Sequence, residues 1–401
     1  MIIFLPIDNS TRARIAAAPF DNGRTATAHG RWSMAKQAFA AVARTPGGRW
    51  DIEDIMLEDP RPGEILVRIA GVGLCHTDLA FGGSLQIMKA PAVLGHEGSG
   101  IVERVGEGVS KVRPGDHVVL TFNSCGECPR CDEGRPAYCV RFAQMNYGGC
   151  RVDGSRTLCV GEEPASANFF GQSSFASYAL ANERNTVRVD PALPIELLGP
   201  LGCGVQTGVG AVMNSLACPK GSSLLVIGAG AVGLSAVLGA KVQECATIIV
   251  VEPREERRAL ALELGATHVI DPASADFATA IREIVPVGVD YAFDTTGRRE
   301  VIESAMTALA PRATFGLVGI ASPADDRLGL SINQLVGAGH IVMGIIEGDS
   351  LPDMFIPRMI ELYKAGELPF DRLVRRYPLS QINEAIADQH AGRCVKAVMI
   401  P

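Results

Sequence analysis

From about residue 38 to residue 120, apolar and polar positions alternate in short runs broken by glycine and proline. Examples are Glu64-Ile-Leu-Val-Arg-Ile, Gly100-Ile-Val-Glu-Arg-Val-Gly and Pro114-Gly-Asp-His-Val-Val-Leu. A period of two turns one face of a strand inward and the other outward, so this stretch predicts a small, mostly antiparallel barrel. Residues 121–180 lose the alternation. They hold a cysteine cluster, Asn146-Tyr-Gly-Gly and Phe169-Phe-Gly-Gln-Ser-Ser-Phe, and loops this long usually serve a site or an interface. Beyond about residue 204 the texture changes to near-continuous apolar runs separated by helical stretches: Ser223-Leu-Leu-Val-Ile, Thr247-Ile-Ile-Val-Val, His268-Val-Ile, Val289-Asp-Tyr-Ala-Phe-Asp and Ala313-Thr-Phe-Gly-Leu-Val. Strands apolar on both faces must be covered on both, which predicts an α/β unit with a parallel, doubly wound sheet. After about residue 344 two amphipathic helices, around 354–365 and 381–389, precede a last strand, 394–400, expected to return to the first unit.

At 401 residues the chain exceeds what one hydrophobic core usually organises, so two domains are expected. A net charge of -7 offers no broad basic surface, which argues against nucleic acid and anionic membrane and leaves a small molecule as the expected partner. The apolar stretch 223–240 is broken by glycines and reads as strand plus helix, not as a membrane span. Four of the eleven cysteines crowd into 125–139, a distribution that suits metal ligation better than disulfides and points to a reducing, cytoplasmic compartment. Residues 1–33 lack periodicity, and Met34-Ala-Lys-Gln-Ala-Phe looks like an ordinary start. The expectation for 1–33 is a disordered extension or a start-site artefact. A secretory signal is disfavoured because the apolar run 1–7 is short and has no basic residues before it.

Gly228-Ala-Gly-Ala-Val-Gly233 fits G-x-G-x-x-G between a strand, Ser223–Ile227, and a helix, Ala231–Val242. Gly228 permits the tight turn, Gly230 lets backbone reach a pyrophosphate, and Gly233 lets the helix pack on the strand, with Ala231 and Val232 at the phosphate-facing helix N-terminus. Glu252 ends the next strand, where a carboxylate accepts from ribose hydroxyls and repels a 2'-phosphate, so NAD is favoured over NADP. Either Arg254 or Arg257 would flank the adenine end or, as the lesser alternative, meet a phosphate.

Cys125, Cys128, Cys131 and Cys139 give C-x2-C-x2-C-x7-C, a lobe in which four thiolates surround one tetrahedral zinc. Four protein ligands close such a site to substrate, so it reads as structural. An iron–sulfur cluster also uses four cysteines, but this spacing matches neither common ferredoxin run. Cys75-His76-Thr77-Asp78, Gly95-His96-Glu97 and Gly202-Cys203-Gly204 form a second, scattered set. Taken singly, each is as readily a buried thiol or a structural histidine.

The order of these motifs resembles the zinc-dependent medium-chain alcohol dehydrogenases over about residues 36–401. The 146–155 and 169–175 segments are most similar to its aryl-alcohol, or benzyl-alcohol, branch. The resemblance implies a GroES-like β-barrel catalytic domain at 34–205 and 346–401, with the structural zinc lobe at 121–140, and an NAD-binding Rossmann domain at 206–345. It implies two zinc ions per subunit, NAD, a homodimer or homotetramer, and interconversion of a primary aromatic or allylic alcohol and its aldehyde. Cys75, His96 and Cys203 would hold a catalytic zinc on which the alcohol becomes an alkoxide before hydride transfer. Thr77 would accept the alcohol proton, Asp78 would orient His96, and Glu97 would approach zinc during ligand exchange. His76 and Lys396 would lie by the pyrophosphate. Many relatives carry a relay histidine where this chain has Ala80, which leaves His76 or bulk water for the outer end of the proton path. Phe122 would line the substrate pocket. The alternatives weighed are an S-(hydroxymethyl)glutathione or aliphatic alcohol dehydrogenase of the same family, a zinc-free quinone reductase, and a non-catalytic NAD-binding redox sensor.

Overall fold

In the computed structural model, residues 34–273, 276–322 and 324–401 are described; the expectation made for 1–33 lies outside them. The chain opens with β1 (Met34–Ala43), β2 (Trp50–Glu58) and β3 (Glu64–Gly73), then helix α1 (His76–Ser84). Next come β4 (Ala92–Val93), β5 (Gly98–Val105) and β6 (His117–Leu120), and beyond the cysteine segment β7 (Leu158–Val160), β8 (Glu163–Pro164), β9 (Tyr178–Asn182) and β10 (Thr186–Val189). Helix α2 (Gly204–Gly210) leads into β11 (Ser223–Ile227), α3 (Ala231–Val242), β12 (Thr247–Val251), α4 (Glu255–Leu264), β13 (His268–Ile270), α5 (Phe277–Ile284), β14 (Val289–Asp294), α6 (Arg299–Met306), β15 (Leu309–Leu317), α7 (Ile332–Ala338) and β16 (Ile341–Gly344). The chain ends with α8 (Pro352–Lys364), β17 (Val374–Pro378), α9 (Ile382–Ala391) and β18 (Lys396–Ile400).

The alternating first third forms two sheets. One runs β4-β1-β2-β7-β8, and the other runs β10-β6-β5-β3-β18-β17 with β9 also on β3. All their pairings are antiparallel except β17 with β18. The C-terminal strand does return: Val398 faces Gly73 and Met399 faces Val72 across an antiparallel pairing. Inward positions of these strands, among them Ile65, Val67, Val118 and Leu120, pack with Trp50 and Phe175 in one core.

Strands β13-β12-β11-β14-β15-β16 form a wholly parallel sheet. Its order is that of a doubly wound dinucleotide fold, reversing between β11 and β14. Successive residues of β11 feed opposite faces: Leu224 and Val226 join the core shared with α2, α3 and α8, while Leu225 and Ile227 join a second core with α5 and α6. The sixth strand, β16, was not foreseen; it is an edge strand, half exposed, and too short to stand out from the flanking glycines. Helices α2 and α3 cross closely because a Cβ on Gly208 would come within 2.1 Å of the Val232 carbonyl oxygen. Among the described residues no helix is long and apolar enough to cross a membrane.

Candidate active site

Cys75 is the extended N-cap residue of α1, and the Asp78 carboxylate three residues on accepts its backbone N–H at 3.0 Å. The other Asp78 oxygen accepts the Gly95 N–H at 3.0 Å and the His96 Nδ1–H at 2.8 Å. A carboxylate can only accept, so the proton sits on Nδ1 and His96 Nε2 presents a lone pair. That nitrogen is fully buried and has no hydrogen-bond partner. Within 4.8 Å of one another lie the Cys75 and Cys203 sulfurs, a His96 ring nitrogen and a Glu97 oxygen. An orphaned imidazole lone pair facing two sulfurs is a donor set that a zinc ion completes. The Cys75 thiol is pushed well below its usual pKa, first by a hydrogen bond from Cys203 and then by His96. Thr77 Oγ1 stands 3.7 Å from the Cys75 sulfur, and Ala80 lies further along α1.

The remaining predicted residues lie around this set and the glycine loop. Glu97 is buried and held by the Lys396 ammonium at 2.8 and 2.9 Å and by the Gly204 N–H at 3.0 Å. Lys396 also donates to the Leu74 carbonyl at 3.2 Å, and it lines the same cleft as Gly230 and Ala231. The cleft beside Cys75 is lined by Cys75, His76, Gly230, Val232, Arg257 and Lys396. The scattered cysteine motif and the glycine loop, far apart in sequence, therefore share one cleft. Ala231 lines it too. Arg257 is half-buried there with its Nε unpartnered. Gly228 has φ +93, Gly230 has open space where a Cβ would project, and a Cβ on Gly233 would lie 1.8 Å from the Gly228 oxygen. Glu252, at the end of β12, accepts the Ala229 and Arg254 N–H groups at 2.8 and 3.0 Å, which fixes its carboxylate at the rim of the glycine loop.

Three further features complete the site, with roles the sequence does not assign residue by residue. Glu347, just past β16, is 7% exposed, with one oxygen 3.6 Å from the Cys203 sulfur and the other accepting from Gln206 Nε2 at 3.0 Å. Burial pushes its carboxyl pKa up to about 7. A lone acid after an apolar run reads as surface, so nothing in the sequence marked it. Gln172 donates to the His96 carbonyl at 2.9 Å, and the Ser174 N–H reaches the Gly95 carbonyl at 2.8 Å, so the 168–175 segment wraps the histidine. Within it Phe170 stacks on the His96 ring at 4.4 Å and 23°, while Phe169 meets it edge-on at 5.4 Å. Phe170 holds a left-handed φ of +52, a strain of about 1–3 kcal/mol that the fold must impose, and Asn185 bonds its carbonyl at 3.0 Å. Tyr147 and Phe142 pack edge-on to Phe170. Phe122 is buried against Phe142, at 5.8 Å.

In the lobe, the sulfurs of Cys125, Cys128, Cys131 and Cys139 all lie within 4.8 Å of one another. Tetrahedral zinc with Zn–S bonds of about 2.3 Å requires S–S edges of about 3.8 Å. Three edges measure 3.6, 3.9 and 4.0 Å. Backbone N–H groups of Cys125, Gly126 and Arg141 point at these sulfurs from 3.3–3.4 Å, as thiolates demand.

A parallel doubly wound sheet joined to a two-sheet unit, with two sulfur-rich metal-binding sets, defines a zinc-binding dehydrogenase. Residues 61–191 match the alcohol dehydrogenase GroES-like domain, and residues 231–365 match the zinc-binding dehydrogenase domain. The geraniol dehydrogenase of Castellaniella defragrans is 47% identical over 365 residues, 90% of this chain and 97% of that one. Two crystal structures superpose on nearly the whole fold. An alcohol dehydrogenase zinc-binding domain protein from Burkholderia ambifaria has a TM-score of 0.89 and 48% identity, covering 91% of this chain and 99% of that one. The benzyl alcohol dehydrogenase from Acinetobacter calcoaceticus has a TM-score of 0.88 and 42% identity, with the same coverage. The chain belongs to the zinc-binding, medium-chain alcohol dehydrogenase family and is an oxidoreductase acting on alcohols.

Proposed function

We propose that the enzyme interconverts primary aromatic or allylic alcohols and their aldehydes with NAD, using a catalytic zinc at Cys75, His96 and Cys203 and a structural zinc at Cys125, Cys128, Cys131 and Cys139. The observation that carries this reading is the buried His96 Nε2 lone pair facing two sulfurs, with Phe169 and Phe170 against the imidazole ring and one of the sulfur residues, Cys75, lining the glycine-loop cleft. When bound, zinc supplies a Lewis acid that lowers the pKa of an alcohol hydroxyl, and the dinucleotide supplies the hydride acceptor. Asp78 keeps His96 in the tautomer that offers Nε2. Thr77, beside Cys75, takes the hydroxyl proton, and with Ala80 in the relay position the proton leaves by exposed His76 or bulk water. Glu97, held by Lys396, would be free to approach a bound metal only if that pairing opened. Glu252 would accept hydrogen bonds from the ribose hydroxyls, and Arg257 and His76 would face the cofactor's anionic part. The aromatic wall around His96 favours a flat or unsaturated substrate over a short aliphatic one. The relatives named for geraniol and benzyl alcohol support the same substrate class.

Residues 34–205 with 346–401 form the catalytic domain on this reading, and 206–345 the nucleotide domain. A homodimer or homotetramer would cover the half-exposed edge strand β16, with its exposed Ile341, and the exposed Ile332 and Val336 of α7. Eleven cysteines, none in a disulfide and six of them proposed zinc ligands, suit a reducing, cytoplasmic compartment. The deciding experiment is NADH formation by the purified enzyme with benzyl, cinnamyl, geranyl and simple aliphatic alcohols, with and without a chelator. Chelator-sensitive turnover favouring the first three is expected. A preference for aliphatic alcohols, or turnover indifferent to zinc removal, overturns the reading.

A further inference from the structure

Two thiols belong to neither metal cluster and lie together at the N-terminal edge of the parallel sheet. Cys218 precedes β11 and Cys245 precedes β12, so both sit at the opposite end of these strands from the dinucleotide loop. Their loops are stitched side by side. The Gly221 N–H reaches the Glu244 carbonyl at 2.9 Å, the Ala246 N–H reaches the Ser222 carbonyl at 2.9 Å, and Gln243 Nε2 donates to the Cys218 carbonyl at 3.0 Å. The Ser222 hydroxyl oxygen lies 3.5 Å from the Cys245 sulfur, and the two thiols act on one another, each being the largest influence on the other's ionisation. Ala217 and Glu244, the residues just before each cysteine, both hold left-handed φ, +45 and +56. Strained backbone beside each cysteine thus accompanies the thiol contact. Cys218 is wholly buried, whereas Cys245 is half-buried and reachable from solvent.

We propose that Cys245 and Cys218 are a peroxide-oxidisable dithiol, with Cys245 the attacking and Cys218 the resolving sulfur. The Cys245 thiolate attacks one oxygen of hydrogen peroxide. The O–O bond breaks, the leaving hydroxide takes a proton to become water, and Cys245 becomes a sulfenic acid. Cys218 then attacks the Cys245 sulfur. The S–S bond forms as the S–O bond breaks, and the Cys218 proton leaves with the hydroxyl as a second water. Two thiols are oxidised and one peroxide is reduced to two waters. Cys245 has the character such a step needs, because the hydrogen bond from Cys218, and behind it that from Ser222, brings its pKa down to about 7. Thiolates held by zinc share their charge with the cation, so Cys245 is the metal-free thiolate available at neutral pH.

The test uses the zinc-loaded enzyme, a small molar excess of hydrogen peroxide, alkylation and peptide mass spectrometry. The expected result is loss of two thiols per chain, a Cys218–Cys245 linked peptide, unchanged zinc content and reversal by dithiothreitol. In Cys218→Ala, Cys245 should accumulate as a dimedone-reactive sulfenic acid. Should that core variant not fold, Cys245→Ser, in a half-exposed loop, should leave Cys218 fully alkylatable at the same dose. Wild-type enzyme whose Cys245 is overoxidised while Cys218 stays free, or whose first oxidised thiols are those of the metal clusters, overturns the proposal.

Discussion

Replacing Asp78 by Asn tests how the scattered ligands are held. The native carboxylate accepts three hydrogen bonds, from the backbone of Cys75 and Gly95 and from His96 Nδ1, and so joins the two segments that carry the first two ligands. An asparagine keeps one acceptor oxygen. If that oxygen faces Gly95 and His96, its NH2 opposes the Cys75 N–H and pushes the sulfur out of place. If the amide turns over, its NH2 faces Nδ1, and His96 can accept only by moving its proton to Nε2, where it blocks the metal. Either way at least one hydrogen bond to a charged group is lost, worth about 1.5–3 kcal/mol. A loss of that size, and the usual cost of removing a carboxylate behind a metal-bound histidine, correspond to roughly 10–100-fold weaker zinc binding. Chelator competition with atomic spectroscopy reads this directly. Wild-type enzyme should hold two zinc ions, and Asp78→Asn should lose one early while the lobe keeps the other. Two equally retained ions would refute the reasoning, as would the simultaneous loss of both, which signals unfolding.

Three further outcomes are expected. Gly233→Ala puts a methyl 1.8 Å from the Gly228 oxygen, an overpacking of about 1–3 kcal/mol or more, so NADH affinity by fluorescence titration should fall at least about tenfold with helical circular dichroism retained. Phe170→Ala removes the ring stacked on His96, and kcat/KM for benzyl alcohol should drop about 10–100-fold while that for ethanol changes little; an equal loss for both would mean a purely structural role. Because its pKa is lowered from 9.0 to about 7, Cys245 should already be mostly thiolate just above neutral pH, so its iodoacetamide labelling should reach half its maximal rate near pH 7 and fall as the medium is acidified; a midpoint near 9 would contradict this.

The chain's own pattern already contained the doubly wound sheet, since strands apolar on both faces have no other covered arrangement, and β11, α3 and β12 fall where their periodicity ends. The glycine loop and the four-cysteine lobe were equally legible, because all their working atoms come from one short stretch whose spacing sets their geometry. Cys75, His96 and Cys203 were legible only as an ordered set of motifs, since their meeting depends on β3 and β5, in one core, lying against the start of α2, which packs in another. Glu347, Gln172 and the turned-in Phe170 were decided wholly by tertiary structure. Each reaches the site across a sequence gap that no local period encodes, and burial beside the histidine and sulfurs gives them their chemistry. The same holds for Lys396, which the fold pairs with Glu97, and for Cys218 and Cys245, brought together because parallel strands place the loops before them side by side.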